Sequence, residues 1–269
     1  MGIVLEHHDR DIRGFAVLAL SRTADRASTK LQGLIADIDS EVRRTVAFAL
    51  GQIGGKTEEK TLLKRLSIEE NEAVQREIWK ALGRIGTSES LERIKGLSPL
   101  RPDAVQAAGL ILARLGAETE TSPLISSAIS SSNSALMAAG FYGLSRSRKP
   151  VSDRVKMRTV RALESVHDEH VRRAAIKLLA KHAGKAAGQL TRLIKTRPFT
   201  GHERAPLVSG ISAVDSSLTE RRLVGLLRHE VRQLRSRDSW LSDNIHPAMV
   251  VAASLSKRRL KASSKTKIA

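Results

Sequence analysis

A block of sequence returns about every 31 residues in this chain and constrains the fold more than any single residue does. Asp39-Ser40-Glu41-Val42-Arg43-Arg44 is followed by Ala49-Leu50-Gly51-Gln52-Ile53-Gly54. The next copy runs Asn71-Glu72-Ala73-Val74, then Ala81-Leu82-Gly83-Arg84-Ile85-Gly86. A third good copy is Asp168-Glu169-His170-Val171-Arg172-Arg173 with Leu178-Leu179-Ala180. Taking the apolar residue after each polar start as an anchor gives Ile12, Val42, Val74, Val105, Leu136 and Val171, spaced by 30, 32, 31, 31 and 35. Self-similarity at this period signals an all-α solenoid, a superhelix of about six stacked helix pairs.

Each copy reads as two helices. Asp39 and Ser40, Asn71, Asp103 after Pro102, and Asp168 are positioned to offer side-chain oxygens to the unpaired amides of a helix N-terminus. Apolar residues then recur at helical spacing, as Val42, Val46, Ala49, Leu50 and Ile53, and again as Val74, Ile78, Ala81, Leu82 and Ile85. Gly54, Gly86 and Gly116 are expected to close these helices in a left-handed turn. Second helices follow, for example Glu58 to Leu66 and Glu89 to Leu97.

Two stretches break the rhythm. Ser126 to Ser134, with Arg146-Ser147-Arg148-Lys149-Pro150 nearby, reads as a joint or a longer turn. After Pro198, Gly201 to Val214 and Leu218 to Arg235 look like a helix pair that has lost the signature, as expected of a terminal cap. Pro247 to Leu260 is expected to add a last helix, and residues 257–269 read as a basic, disordered tail. Residues 1–256 are thus expected to form the solenoid.

Aromatic residues make up only 3% of the chain, so the core must be built from Leu, Ile, Val and Ala. That composition suits tightly stacked helices better than an aromatic-lined pocket, and no cofactor or small-molecule substrate is indicated. The chain has no cysteine, which excludes disulfides, thiolate ligands and a cysteine nucleophile. The first residues carry no signal-peptide pattern, and Glu6 stands where a myristoylation motif after Gly2 needs Ser or Thr. No later stretch approaches a membrane span, so a cytoplasmic location is the expectation.

The Asp-x-x-Val-Arg-Arg start followed by Ala-Leu-Gly-x-Ile-Gly resembles HEAT repeats, particularly the short bacterial type also found in phycobilin lyases. The resemblance covers residues 8–197 well and 198–237 poorly. It implies a scaffold or adaptor more than a chemistry. Deoxyhypusine hydroxylases look similar around Val46 to Gln52, but that family holds two irons with His-Glu pairs on several repeats. The matching positions here carry Arg44-Thr45 and Arg76-Glu77, and the only His-Glu pairs, His202-Glu203 and His229-Glu230, fall elsewhere. No motif for a tetrapyrrole accompanies the likeness to the lyases. Alkylation-repair DNA glycosylases with HEAT-like repeats are the enzymatic alternative, and they would need tryptophans at the damaged base. This chain has only Trp79, which sits among core positions, and Trp240, which reads as docking a capping helix.

Charge is the feature that points to function. Residues 1–140 hold 18 Lys or Arg and 18 Asp or Glu, whereas residues 141–269 hold 28 and 10, so the second half carries the whole excess of +18. On the helix Leu218 to Arg235, Leu223, Val224, Leu226, Leu227, Val231 and Leu234 share one face. Arg221, Arg228, Arg232 and Arg235 fall within about 60° on the other. Asp153 to Val166 repeats the arrangement with Arg154, Arg158 and Arg161 outward, and the helix near Lys185 to Arg197 adds Lys185 and Arg192. If these are second helices of successive repeats, they lie about 10 Å apart. Arginine forks then match phosphate oxygens, and nearly no carboxylate shares these faces.

The expectation is a non-catalytic scaffold whose basic half, residues 141–256, holds an anionic partner. Nucleic-acid backbone is the favoured partner and an acidic protein the alternative, with the neutral half available to a protein. The anion site would comprise Arg154, Arg158, Arg161, Lys185, Arg192, Arg221, Arg228, Arg232 and Arg235.

Overall fold

The computed structural model describes residues 2–22, 24–116, 122–214, 217–235, 249 and 251–256. It divides into two compact units, Met1–Ser131 with Arg146–Arg148, and Ser132–Ser145 with Lys149–Ala269. All regular structure among the described residues is helical. The first unit contains α1 (Gly2–Leu5), α2 (Arg10–Ser21), α3 (Ala24–Leu34), α4 (Ser40–Ile53), α5 (Lys56–Leu66), α6 (Glu72–Ile85), α7 (Ser88–Lys95), α8 (Pro102–Leu115) and α9 (Pro123–Ser130). The second contains most of α10 (Ser134–Arg146), then α11 (Asp153–Ser165), α12 (Glu169–His182), a 3-10 turn (Gly184–Ala186), α13 (Ala187–Thr196), α14 (Gly201–Ser212) and α15 (Ser217–Arg235). Residues 251–256 are also helical, whereas residues 257–269, expected to be a tail, lie outside the described residues.

Polar side chains set the period. Asp9, Asp39, Asn71, Asn133 and Asp168 each accept a hydrogen bond from the amide two residues ahead, which satisfies an otherwise unpaired helix N-terminus. Thr200 instead accepts from the amide three residues ahead, in a reciprocal capping box with Glu203, although the recurring signature is absent there. In the fourth repeat the cap position falls to Arg101, with Pro102 as the first helical residue. Asp103 therefore lies inside the first turn and is not the cap. The true anchor of that repeat is Ala104, one residue before Val105, because proline moves the helix start forward.

In the first unit α2, α4, α6 and α8 form one layer, each packed on the next, while α3, α5, α7 and α9 pack against it. Twelve residues after each cap stands a small residue: Ser21, Gly51, Gly83, Ala113, Ser145, Ala180 or Ser212. The reason is visible at Gly51, where an added Cβ would sit 2.7 Å from Ala81 Cβ and 2.9 Å from its Cα. Trp79 is buried in the same core.

Of the three glycines expected in a left-handed turn, only Gly116 adopts it, with φ 69° and ψ 13°. Gly54 has φ 79° and ψ 169°, a region equally reserved for glycine. Gly86 has φ −55°, so its need is steric: a Cβ would meet Ile111 Cδ1 and Ser90 Oγ, both at 2.8 Å.

A ladder of buried polar contacts ties the repeats together. Four residues after the cap, Arg13 grips Asp37 bidentately at 2.9 Å, and Arg43 grips Glu69 in the same way at 2.9 Å. Each arginine also donates to the two carbonyls just before its own helix, His7 and His8 for Arg13, and Asp37 and Ile38 for Arg43. Each acid accepts the amide of the following cap, Asp39 or Asn71. Gln75 replaces arginine in the third repeat, donating to the Glu69 carbonyl and accepting from Arg101. In the second unit Arg172 reaches Glu203 at 3.0 Å.

Candidate functional site

The basic surface is built on α11, α13 and α15 of the second unit. α11 packs on the 3-10 turn and α13, and α13 packs on α15, so these helices are neighbours in chain order. Ser152 caps α11 through the Val155 amide at 3.3 Å. Val155, Thr159, Val160, Ala162 and Leu163 are buried, which turns Arg154, Arg158 and Arg161 to the exposed side. On α13, burial of Ala187, Leu190, Leu193 and Ile194 turns Arg192 and Lys195 outward. On α15, Leu223 and Leu226 are buried and Arg221, Arg228 and Arg232 are exposed. Two inward threonines remain satisfied: Thr159 donates to the Val155 carbonyl and Thr191 to that of Ala187, both at 2.7 Å.

Among the described residues, no carboxylate forms an ion pair with Arg154, Arg161, Arg192, Arg221, Arg228 or Arg232. Lys185 differs. Its Nζ lies 3.2 Å from Asp153 Oδ2, and Lys156 Nζ lies 2.9 Å from Asp153 Oδ1. Hydrogen bonds from the two lysines hold the Asp153 carboxyl below its ordinary range. The near absence of carboxylates expected from the sequence therefore fails at this corner, because Asp153 opens α11 where a helix N-terminus favours an acid. Glu164 and Glu220 are also exposed on α11 and α15. Arg235 is the last residue of α15, and its side chain lies outside the described set, as does Trp240.

The sequence reading missed two cations at the seams between these helices, Lys156 and Arg222, and set a third, Lys195, off the basic line of its helix. A Cβ at Gly184 would stand 2.8 Å from Lys156 Nζ, one at Gly188 3.5 Å from an Arg222 guanidinium nitrogen, and one at Gly225 3.2 Å from Lys195 Nζ. Lys156, Arg222 and Lys195 thus lie across glycines of the adjacent helix. Only Gly225 stands mid-helix, where glycine has no propensity reason to be, and it was the available signal; Gly184 opens the 3-10 turn and Gly188 lies in the first turn of α13.

Comparison with known proteins bears on the repeats themselves. Residues 27–110, spanning most of α3 and running into α8, match the HEAT-repeat family model. This stretch is a run of HEAT repeats. The match is narrower than the 8–197 suggested by the recurring block, although side-chain helix caps recur to Thr200. No curated protein matches the sequence significantly. Among solved structures, one chain from the complex of CpcE and CpcF of phycocyanin lyase from Nostoc is similar, with a TM-score of 0.49 and 18% identity over 94% of this chain and 91% of that chain. Among the described residues, no group of three or more His, Asp or Glu side chains could hold a metal ion, and no helix is long and apolar enough to cross a membrane.

Proposed function

We propose that this chain is a non-catalytic HEAT-repeat scaffold that holds the phosphate backbone of a nucleic-acid duplex or structured RNA. The contact surface comprises Arg154, Arg158, Arg161, Lys185, Arg192, Arg221, Arg228, Arg232 and Arg235. The observation that carries this reading is the set of six exposed arginines on three neighbouring helices, none ion-paired among the described residues. Like charges spaced three or four apart on a helix cost a few tenths of a kcal/mol each, so such a face is stabilised by an anionic partner. Backbone contact suits the chemistry. The exposed residues of α11, α13 and α15 include no aromatic ring on which an unpaired base could stack.

Binding to duplex DNA, single-stranded DNA and RNA across a salt series tests the reading. Wild type should bind duplex or structured RNA more tightly than single strands, with affinity falling steeply as salt rises. Changing Arg221, Arg228 and Arg232 together to Ala should flatten the log–log salt slope by about 2–3 and weaken binding at least tenfold at low salt. Equal affinity and slope for wild type and variant would remove this surface from the reading. Tight binding of an acidic protein with none of nucleic acid would replace it with the adaptor alternative.

A further inference from the structure

A second surface lies in the first unit, on the opposite kind of helix and independent of the basic face. Five, six and nine residues after the cap, the first-layer helices present Gly14, Phe15 and Leu18 on α2, Arg44, Thr45 and Phe48 on α4, and Arg76, Glu77 and Lys80 on α6. Leu18 and the six α4 and α6 residues line one groove of about 500 Å³. Phe15 occupies the same register as the lining residues Thr45 and Glu77, and it is 73% exposed. Ile12 and Leu18 flank it on the exposed face of α2. The groove therefore changes character across its width, from apolar over α2 to cationic over α6.

The charges are available to a partner. Arg44 pairs with Glu41 at 2.7 Å between half-exposed side chains, and Lys80 with Glu77 at 3.1 Å. The Arg44–Glu41 pair is of the surface kind that contributes little and exchanges readily. Glu77 is only 13% exposed and also faces Arg84 at 3.9 Å, so Lys80, itself 62% exposed, keeps one fixed partner and offers its outer side. Arg84 covers the Phe48 ring at 5.3 Å from its centroid, adding a fourth cation beside the apolar wall. Arg44, Arg76 and Lys80 against Glu77 leave the lining at a net excess of two positive charges.

We infer that this groove docks an extended acidic segment of a partner protein, with an apolar side chain seated over Phe15, Leu18 and Phe48 and carboxylates over Arg76 and Lys80. The geometry sets the spacing. Adjacent helices lie about 8–10 Å apart, and an extended chain rises about 3.3 Å per residue. The apolar anchor and the acidic residues should thus be separated by about three to six residues, one or two helix crossings.

A panel of synthetic 12-residue peptides tests this with full-length protein by fluorescence anisotropy. Each peptide carries one Phe placed from zero to eight residues away from a block of three Glu. Affinity should peak at separations of three to six. It should fall at least tenfold when the peptide Phe becomes Ser, when Phe15→Ser is introduced, or when Arg76→Glu and Lys80→Glu are combined. The double charge reversal should also prefer a peptide with Lys in place of Glu, a gain that a misfolded variant cannot show. Absence of binding across the panel, or binding that ignores both the peptide Phe and its spacing, would overturn the proposal. So would light scattering that shows a dimer dissociated by Phe15→Ser, because a second copy would then be the occupant.

Discussion

Glu69→Ala should destabilise the first unit by about 3–5 kcal/mol, measured as a shift of its urea transition followed by circular dichroism. The Glu69 side chain is only 1% exposed and holds Arg43 bidentately and Arg65 at 2.7 Å, while also accepting the Asn71 amide. Alanine would strand two largely buried guanidinium groups and the amide of the next helix cap. The same site should govern acid sensitivity. Burial pushes the Glu69 carboxyl up, but hydrogen bonds from Arg43, Arg65 and the Asn71 amide outweigh it and hold the group at about 2, against an ordinary value of 4.5. A depressed carboxylate stabilises the fold fully above 4.5 and loses that contribution as pH falls towards 2. The shift is equivalent to about 3 kcal/mol. Asp37 moves in the same direction: burial raises its carboxyl, but the Arg13 hydrogen bond and the Asp39 amide prevail. Wild type should therefore lose stability between pH 5 and 2 far more steeply than the Glu69→Ala variant. Parallel pH profiles, or a cost below about 1 kcal/mol, would show that the ladder is incidental to stability.

Gly51→Leu should be comparably damaging, costing about 3 kcal/mol or more by overpacking. The first added carbon already falls 2.7 Å from Ala81 Cβ and 2.9 Å from Ala81 Cα, and backbone cannot rotate away as a side-chain tip can. α4 and α6 would have to separate, which also pulls on the Arg43–Glu69 contact. Gly51→Ala should cost less, and adding the companion change Ala81→Gly should recover part of the loss because it removes the carbon at 2.7 Å. A Leu variant that melts with wild type would refute close approach at this position.

Much of the architecture was legible because the period, the polar caps and the apolar spacing are local properties of the chain. Asp39, Asn71 and Asp168 cap their helices as the sequence implies. The fourth repeat misled by one residue because Pro102 fixes the first helical position, whichever neighbour carries an oxygen. The ladder was invisible for a different reason. Arg43 and Glu69 are 26 residues apart, and nothing in a solvated-looking Arg-Arg pair says that Arg43 is held in the interior while Arg44 is exposed. On the basic face, helical spacing sorted outward from inward positions on α11 and at Leu223, Leu226, Arg221, Arg228 and Arg232 of α15, though Val231, expected inward, is exposed. It could not reveal contacts between helices. Lys185 meeting Asp153, and Arg222 lying across Gly188, depend on how two helices sit side by side. The groove over α2, α4 and α6 was missed because Phe15 looks like a core residue until its neighbours are placed.

The ladder also makes the repeats interchangeable parts. Each arginine rung runs from a helix start to the acid just ahead of the next start, as Arg13 to Asp37 and Arg43 to Glu69, and in the first unit the starts fall 30, 32 and 30 residues apart at Asp9, Asp39, Asn71 and Arg101. Excising residues 40–71 would join Asp39 to Glu72, remove Arg43, Arg65 and Glu69 together, and leave Arg13 on Asp37. Inserting such a segment would bring its own arginine and its own acid. A chain of this kind can grow or shrink by whole units over evolutionary time without stranding a charge in its interior, so its length is free to follow the size of whatever it holds.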